Sequence, residues 1–186
     1  NLGHSHAYHP DGVNALNGAF AARGAFIKVK KGKCLSQPIS ILHISDSNNG
    51  FRFSQPRILV SVEAHAQATI LETYINHGGG ESLTNEVIEI CTGRDSITRY
   101  IKLQNEGSQS NHTGTTHVRQ LERSNTHAVT TTNQQANSPS TGTTTSFQQD
   151  HAVTSEGTSY FDDIVRFQTA PGIIQNCGKN ACGNPS

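Results

Sequence analysis

The chain has 186 residues, 33% hydrophobic and 15% charged, and 14 Lys plus Arg balance 14 Asp plus Glu. That length predicts one domain. Zero net charge excludes a general nucleic-acid binder, which carries a basic excess. No run approaches the ~18 apolar residues of a membrane span, and no basic-then-apolar leader pattern opens the sequence. The hydrophobic fraction is below the usual ~45–50% of a class that also counts Gly. A sound core diluted by a segment with none explains the deficit. There is no Met, and the first residue is Asn1. This predicts an excerpt or a processed product.

Residues 1–9 are polar and His-rich. Pro10 to Ala22 predicts a short helix, with Pro10 and Asp11 at its start and Val13, Leu16 and Phe20 on one face. Gly24 stops it. Short strand-like segments follow with no helix between them: Ala25–Val29, Ile39–Ile44, Ile58–Val62, Ala68–Ile75, Glu86–Cys91, Ile97–Leu103 and His117–Leu121. Turn residues separate them, among them Lys31-Gly32, Ser47 to Gly50, His77 to Gly80, Gly93 and Asn105 to Gly107. Their rhythm suits a sandwich or a solenoid. Several strands carry apolar groups on both faces. Ile58, Val60 and Val62 oppose Leu59, and Leu71 and Ile75 oppose Ile70 and Tyr74. This suits an inner face filling a core and an outer face meeting a neighbour.

The composition changes at Ser124. From there to Gln149 no residue is charged, and Thr, Ser, Asn and Gln dominate. Such sequence buries too little apolar area to offset ~1–2 kcal/mol per ordered residue, which predicts an irregular or disordered tail. A small apolar patch follows, Tyr160-Phe161 with Ile164, Val165 and Phe167, then a Gly- and Asn-rich end holding Cys177 and Cys182. The division is 1–24, an N-terminal segment with a short helix; 25–123, a strand-rich core; and 124–186, a low-complexity tail.

Two ordered series carry a family resemblance. One runs from Ala15-Leu16-Asn17-Gly18-Ala19-Phe20 through Gly24–Val29 to Gln37-Pro38-Ile39-Ser40-Ile41-Leu42-His43-Ile44. The other joins Pro56–Val60, Ala68–Glu72, Asn85–Ile90 and Tyr100-Ile101-Lys102-Leu103-Gln104-Asn105-Glu106, and closes on His117-Val118-Arg119-Gln120. In order and spacing they resemble the SufB/SufD family of iron–sulfur cluster assembly proteins, nearer its SufD branch, over about residues 13–128. No single motif is specific; the ordered series carries the likeness.

The resemblance implies an all-β fold, a right-handed parallel β-helix, here incomplete and preceded by a short helix. It implies a non-catalytic scaffold subunit that pairs with a SufB-like subunit and supports a SufC-like ATPase on a separate chain. No cofactor is held firmly; an iron–sulfur cluster is present only transiently in the complex. The implied location is the cytoplasm, or the plastid stroma in a plant or alga, with no nucleic acid or membrane partner. From Thr130 onward no family counterpart is legible. A frameshift, a misassigned exon or a contig join is the expected cause.

Three residues are candidates for metal or sulfur handling. Cys34 follows the Lys28–Lys33 run, where neighbouring lysines favour a thiolate; the plain alternative is a small residue at a strand entry. His117 and His127 fall on adjacent rungs if the strands stack, and with a carboxylate they suit iron; the alternative is ordinary surface histidines. Cys91 reads as a packing residue. Cys177 and Cys182 have no second Cys/His pair at ligand spacing. His4, His6 and His9 offer adventitious chelation. There is no phosphate-binding Gly-x-x-x-x-Gly-Lys-Ser/Thr loop. A polysaccharide-active β-solenoid enzyme, the reading from another class, requires acidic residues grouped on one outer face. A truncated fragment that fails to pair is the third reading.

Overall fold

The computed structural model describes residues 12–21, 24–132, 141–149 and 158–162. Residues 1–9, Pro10 and Asp11, the patch at Ile164–Phe167 and the Cys177/Cys182 pair lie outside the described residues. In chain order the elements are α1 (Gly12–Phe20), β1 (Gly24–Val29), β2 (Ile39–Asp46), β3 (Arg52–Ser54), β4 (Arg57–Val62), β5 (Gln67–His77) and β6 (Ser82–Thr92). Then come β7 (Ile97–Asn105), β8 (Ser110–Gln120), β9 (Asn125–Thr132), β10 (Thr141–Gln149) and β11 (Thr158–Asp162).

The strands form two parallel sheets. One has the order β1-β4-β6-β8-β10, with β3 also on β6; the other is β11-β9-β7-β5-β2. The chain crosses from one sheet to the other at nearly every connection, so it winds as a β-solenoid of about 4 turns. Ala25 pairs with Ile58, Ile58 with Ile88 and Ile88 with Thr116, a repeat of 33, 30 and then 28 residues. The expected β-helix is present. All seven predicted core strands are found, and β8 starts earlier than its apolar portion indicated.

Alternation decides what faces the lumen. Ile58, Val60, Val62, Ile88, Ile90 and Val118 of the first sheet pack against Ala68, Ile70, Tyr100 and Ala128 of the second. Outer-facing Leu42 and Ile44 stay exposed.

The corners between the sheets repeat one conformation. Gly32, His65, Asp95 and Arg123 each stand third in a four-residue corner, at φ of 70°, 59°, 55° and 53°. Each is followed within two residues by a strand or bridge of the other sheet. The small residue after the left-handed one is buried at Ala66, Ser96 and Ser124. Successive corners hydrogen-bond to one another: Gly32 N to Ala64 O (3.0 Å), His65 N to Arg94 O (2.9 Å) and Asp95 N to Glu122 O (3.1 Å). Arg123 grips Asp95 with two bonds, at 2.6 and 2.9 Å. Gly93 sits where the turns touch, and a Cβ there would lie 2.5 Å from Ala64 N.

Two features go beyond the sequence pattern. The helix forms, but Val13, Leu16 and Phe20 are exposed, and the buried side chains are Asn14 and Asn17. Asn17 Nδ2 donates to Asn85 O (2.7 Å) and Pro56 O (3.2 Å), and Asn85 Nδ2 donates to Val13 O (3.0 Å). The carbonyls of Pro56 and Asn85 thus select the polar side of α1. The second concerns part of the tail. Within the stretch that composition predicts to be irregular, the described residues form strands: β9 pairs with β7, β10 with β8 and β11 with β9, all parallel and in register. Backbone pairing to a preformed strand requires no apolar side chain, so Thr-rich sequence adds rungs.

The left-handed corners predict a clear ranking at His65, whose side chain is largely exposed. His65→Gly is expected to be neutral or stabilising by up to ~1 kcal/mol, and His65→Val to cost ~1–2 kcal/mol, in denaturant unfolding. Equal effects from the two would refute the corner reading.

Candidate functional site

The lumen has two halves. Beside the apolar half lies a closed set of ionisable side chains, placed there by strand parity. On β5 the buried series is Ala68, Ile70, Glu72 and Tyr74, and on β7 it is Thr98, Tyr100, Lys102 and Gln104. The register sets Glu72 beside Lys102. From the opposite sheet β6 contributes Glu86, and β8 contributes His112. Glu86 pairs in register with Gly114, where a Cβ would lie 2.5 Å from Glu86 Oε1. Only glycine leaves room for that carboxylate.

The contacts cross the lumen. The Lys102 ammonium donates to Glu86 Oε1, tying the sheets together. Glu72 accepts from Tyr74 OH (2.6 Å), from His43 Nε2 (2.8 Å) and from Tyr100 OH. His112 Nδ1 bonds Glu106 Oε2 at 2.6 Å. A carboxylate oxygen accepts, so His43 Nε2 and His112 Nδ1 are the donors in these two bonds. His43 stacks on Tyr74 at 4.3 Å, and Tyr74 meets His112 edge-on at 4.7 Å.

Burial and these partners set the protonation states. Burial raises Glu72, but the His43 bond, the Lys102 charge and the tyrosine hydroxyls outweigh it, leaving its carboxyl below the usual range. Burial, then the Glu72 charge, pushes Tyr74 and Tyr100 well above the ordinary phenol value. Burial pulls Lys102 down to about 8, against Glu72 and Glu106. Burial also lowers His112, against its bond to Glu106. Such a set braces two sheets and stores charge away from water. It exposes no nucleophile or acid–base pair to a substrate.

The sequence candidates lie elsewhere and apart. Cys34 is exposed, in the corner after β1, bridged through its backbone to Gln67. His117 is buried on β8, opposite Glu89 in register, with its parity against that of core Val118. His127 is half-buried on β9 of the other sheet, beside Arg99 in register and between buried Thr126 and Ala128. The two histidines therefore point out of the lumen from different sheets and do not meet. Cys91 is half-buried in an outer groove of about 570 Å³ with Arg119 and Arg94, and burial pushes its thiol up. Among the described residues, no three or more His, Cys, Asp or Glu converge as a metal site.

The sequence matches the family described as SUF system FeS cluster assembly, SufBD core domain, over residues 43–170. The chain belongs to the SufBD core family. The match spans β2 to β11, so the family's core corresponds to the turns of this solenoid. It also runs past residue 128, where the legible likeness stopped, as far as residue 170. Among curated proteins, the iron–sulfur cluster assembly protein SufD of Bacillus subtilis (strain 168) is 27% identical over 97 residues. That alignment covers 52% of this chain and 22% of the relative, so this chain spans under a quarter of that protein's length. No solved structure matches.

Within this SufBD core, strand parity could have revealed the ionisable cluster. Glu72 shares the parity of Ile70 and Tyr74, and Lys102 that of Tyr100, inside strands that the sequence predicts. His112 had no such signal, because its strand begins in polar residues.

Two predictions follow from the cluster. Lys102→Met leaves Glu86 without its cation and is expected to cost ~3–5 kcal/mol in denaturant unfolding. The Lys102→Met/Glu86→Gln double variant should cost clearly less than the sum of the singles; strict additivity would show that the pair is not coupled. In alkaline titration followed at 295 nm, Tyr74 and Tyr100 should ionise only as the protein unfolds, with phenylalanine variants assigning the signal. The folded state holds protons that the unfolded chain releases above about pH 10, so stability falls with rising pH there. Lys102 acts with the opposite sign between about 8 and its unfolded value. Ionisation of both tyrosines before any loss of circular dichroism would contradict the sealed lumen.

Proposed function

We propose that this chain is the β-helical core of a SufD-like scaffold subunit in iron–sulfur cluster assembly. It works by pairing with a SufB-like subunit and supporting a SufC-like ATPase, and it catalyses nothing itself. The observation that carries this reading is the SufBD core match, which coincides with the stacked turns. The named activity of the Bacillus subtilis relative agrees with it.

The architecture fits a partner-binding role. Each sheet is built by parallel backbone pairing, the same mode by which a partner's strand is added. The grouped carboxylates Glu72, Glu86 and Glu106 lie within the fold and not along an outer groove, which supports a scaffold over a polysaccharide-active enzyme. The iron–sulfur cluster is cargo in this reading, held transiently by the assembled complex. No helix among the described residues is long and apolar enough to cross a membrane. We place the chain in the cytoplasm, or in the stroma in a plastid-bearing source.

The test is co-expression of the full chain, affinity-tagged, with a SufB-like protein and a SufC-like ATPase. The expected outcome is capture of both at fixed stoichiometry. A chain that unfolds cooperatively yet captures neither would defeat the assembly reading and favour an inert fragment.

A further inference from the structure

The charges inside the solenoid are unequal. Buried Glu72 and Glu86 and half-buried Glu106 supply three carboxylates against the single ammonium of buried Lys102, with His43 and His112 as their imidazole partners. Buried carboxylates require counter-charge or donors. Glu72 has three donors, and Glu106 has His112 Nδ1. Glu86 has Lys102 on Oε1 only. Its Oε2 has no hydrogen-bond partner, and neither has His112 Nε2. Those two atoms stand 3.4 Å apart, with side-chain exposures of 0% and 1%.

Chemistry makes this pairing informative. With Nδ1 donating to Glu106, a neutral His112 ring presents a lone pair at Nε2. A lone pair and a carboxylate oxygen this close repel unless positive charge lies beside both. Two ligands, each ~2.1 Å from a tetrahedral ion, stand ~3.4 Å apart, which is the separation seen. A carboxylate on the other ring nitrogen is the usual outer support of a metal-binding histidine, and Glu106 fills that place. A dication would also balance three carboxylates and one ammonium.

We propose that the lumen binds one divalent cation of the zinc class between Glu86 Oε2 and His112 Nε2. Glu106 positions His112, and Gly114 leaves the space Glu86 occupies. The described residues supply two ligands, so water completes the shell. The site is enclosed, and both ligands lie on neighbouring strands of the first sheet, so the ion would tie two successive turns together.

The test is titration of the purified, chelator-treated full chain with Co(II) and then Zn(II), in a background with His4, His6 and His9 changed to Ala. Expected results are one equivalent of Co(II) with visible ligand-field absorption, its displacement by Zn(II), and a higher unfolding temperature with metal. Glu86→Gln and His112→Gln should each weaken binding at least ~10-fold, and Glu106→Gln by ~10–100-fold. His127→Ala should leave it unchanged. Should the lumen variants fail to fold, ¹⁵N NMR of His112 in the parent chain decides: its Nε2 resonance should move on adding Zn(II). Absence of binding, binding that survives His112→Gln, or a His112 Nε2 that carries a proton and ignores Zn(II) would each overturn the site. The last of these would mean that a shared proton supplies the charge.

Discussion

Parallel, in-register stacking of turns about 30 residues long is the constraint on which everything else in this molecule rests. It is enforced at the corners, where Gly32, His65, Asp95 and Arg123 adopt one left-handed conformation and each corner's amide reaches the carbonyl of the next. Because the corners keep step, a residue's parity is inherited along the whole stack. Ile58, Ile88 and Thr116 fall in one inward column, and Leu59, Glu89 and His117 in one outward column. A shift of one residue in a single turn would turn every later column inside out.

That inheritance explains why the lumen holds charge. The columns that bury Ile70 and Tyr100 also bury Glu72 and Lys102, two residues further along the same strands. Once inside, each ionisable group is met by another: Glu72 by two tyrosines and His43, Glu86 by Lys102, and Glu106 by His112. Removing a member is costlier than its own interaction suggests, because its partner stays buried. The outer face of the first sheet follows the same logic on a smaller scale. Arg57 bonds Glu89 at 2.5 Å and Asn17 of α1 at 3.2 Å, so the helix is seated by polar contacts.

A stack of this kind grows one strand at a time. The pairing ladder passes through Thr-rich sequence to β10 and β11, since each new strand needs only backbone partners. This accounts for a family match that runs well beyond the apolar portion of the chain. The hydrophobic deficit of the sequence is therefore compatible with continued β-structure.

The seven core strands, the turn glycines and the family were legible in the sequence, because β-branched runs, Gly-bearing corners and the order of segments are local properties. The helix at Gly12–Phe20 was legible as well, but not the face it buries. That choice depends on the carbonyls of Pro56 and Asn85, which lie far away in the chain. Strands β9 to β11 were not legible, because their signal is the neighbouring strand and not their own composition. The same holds for the interior cluster. Composition supplied the acids, the lysine and the histidines, whereas register alone brought Glu86, Lys102 and His112 from two sheets to one point and kept His117 and His127 apart. Sequence by itself determined which segments extend and where they turn. Tertiary stacking decided which side chains share the lumen, because a solenoid's interior is defined only when one turn lies on the next.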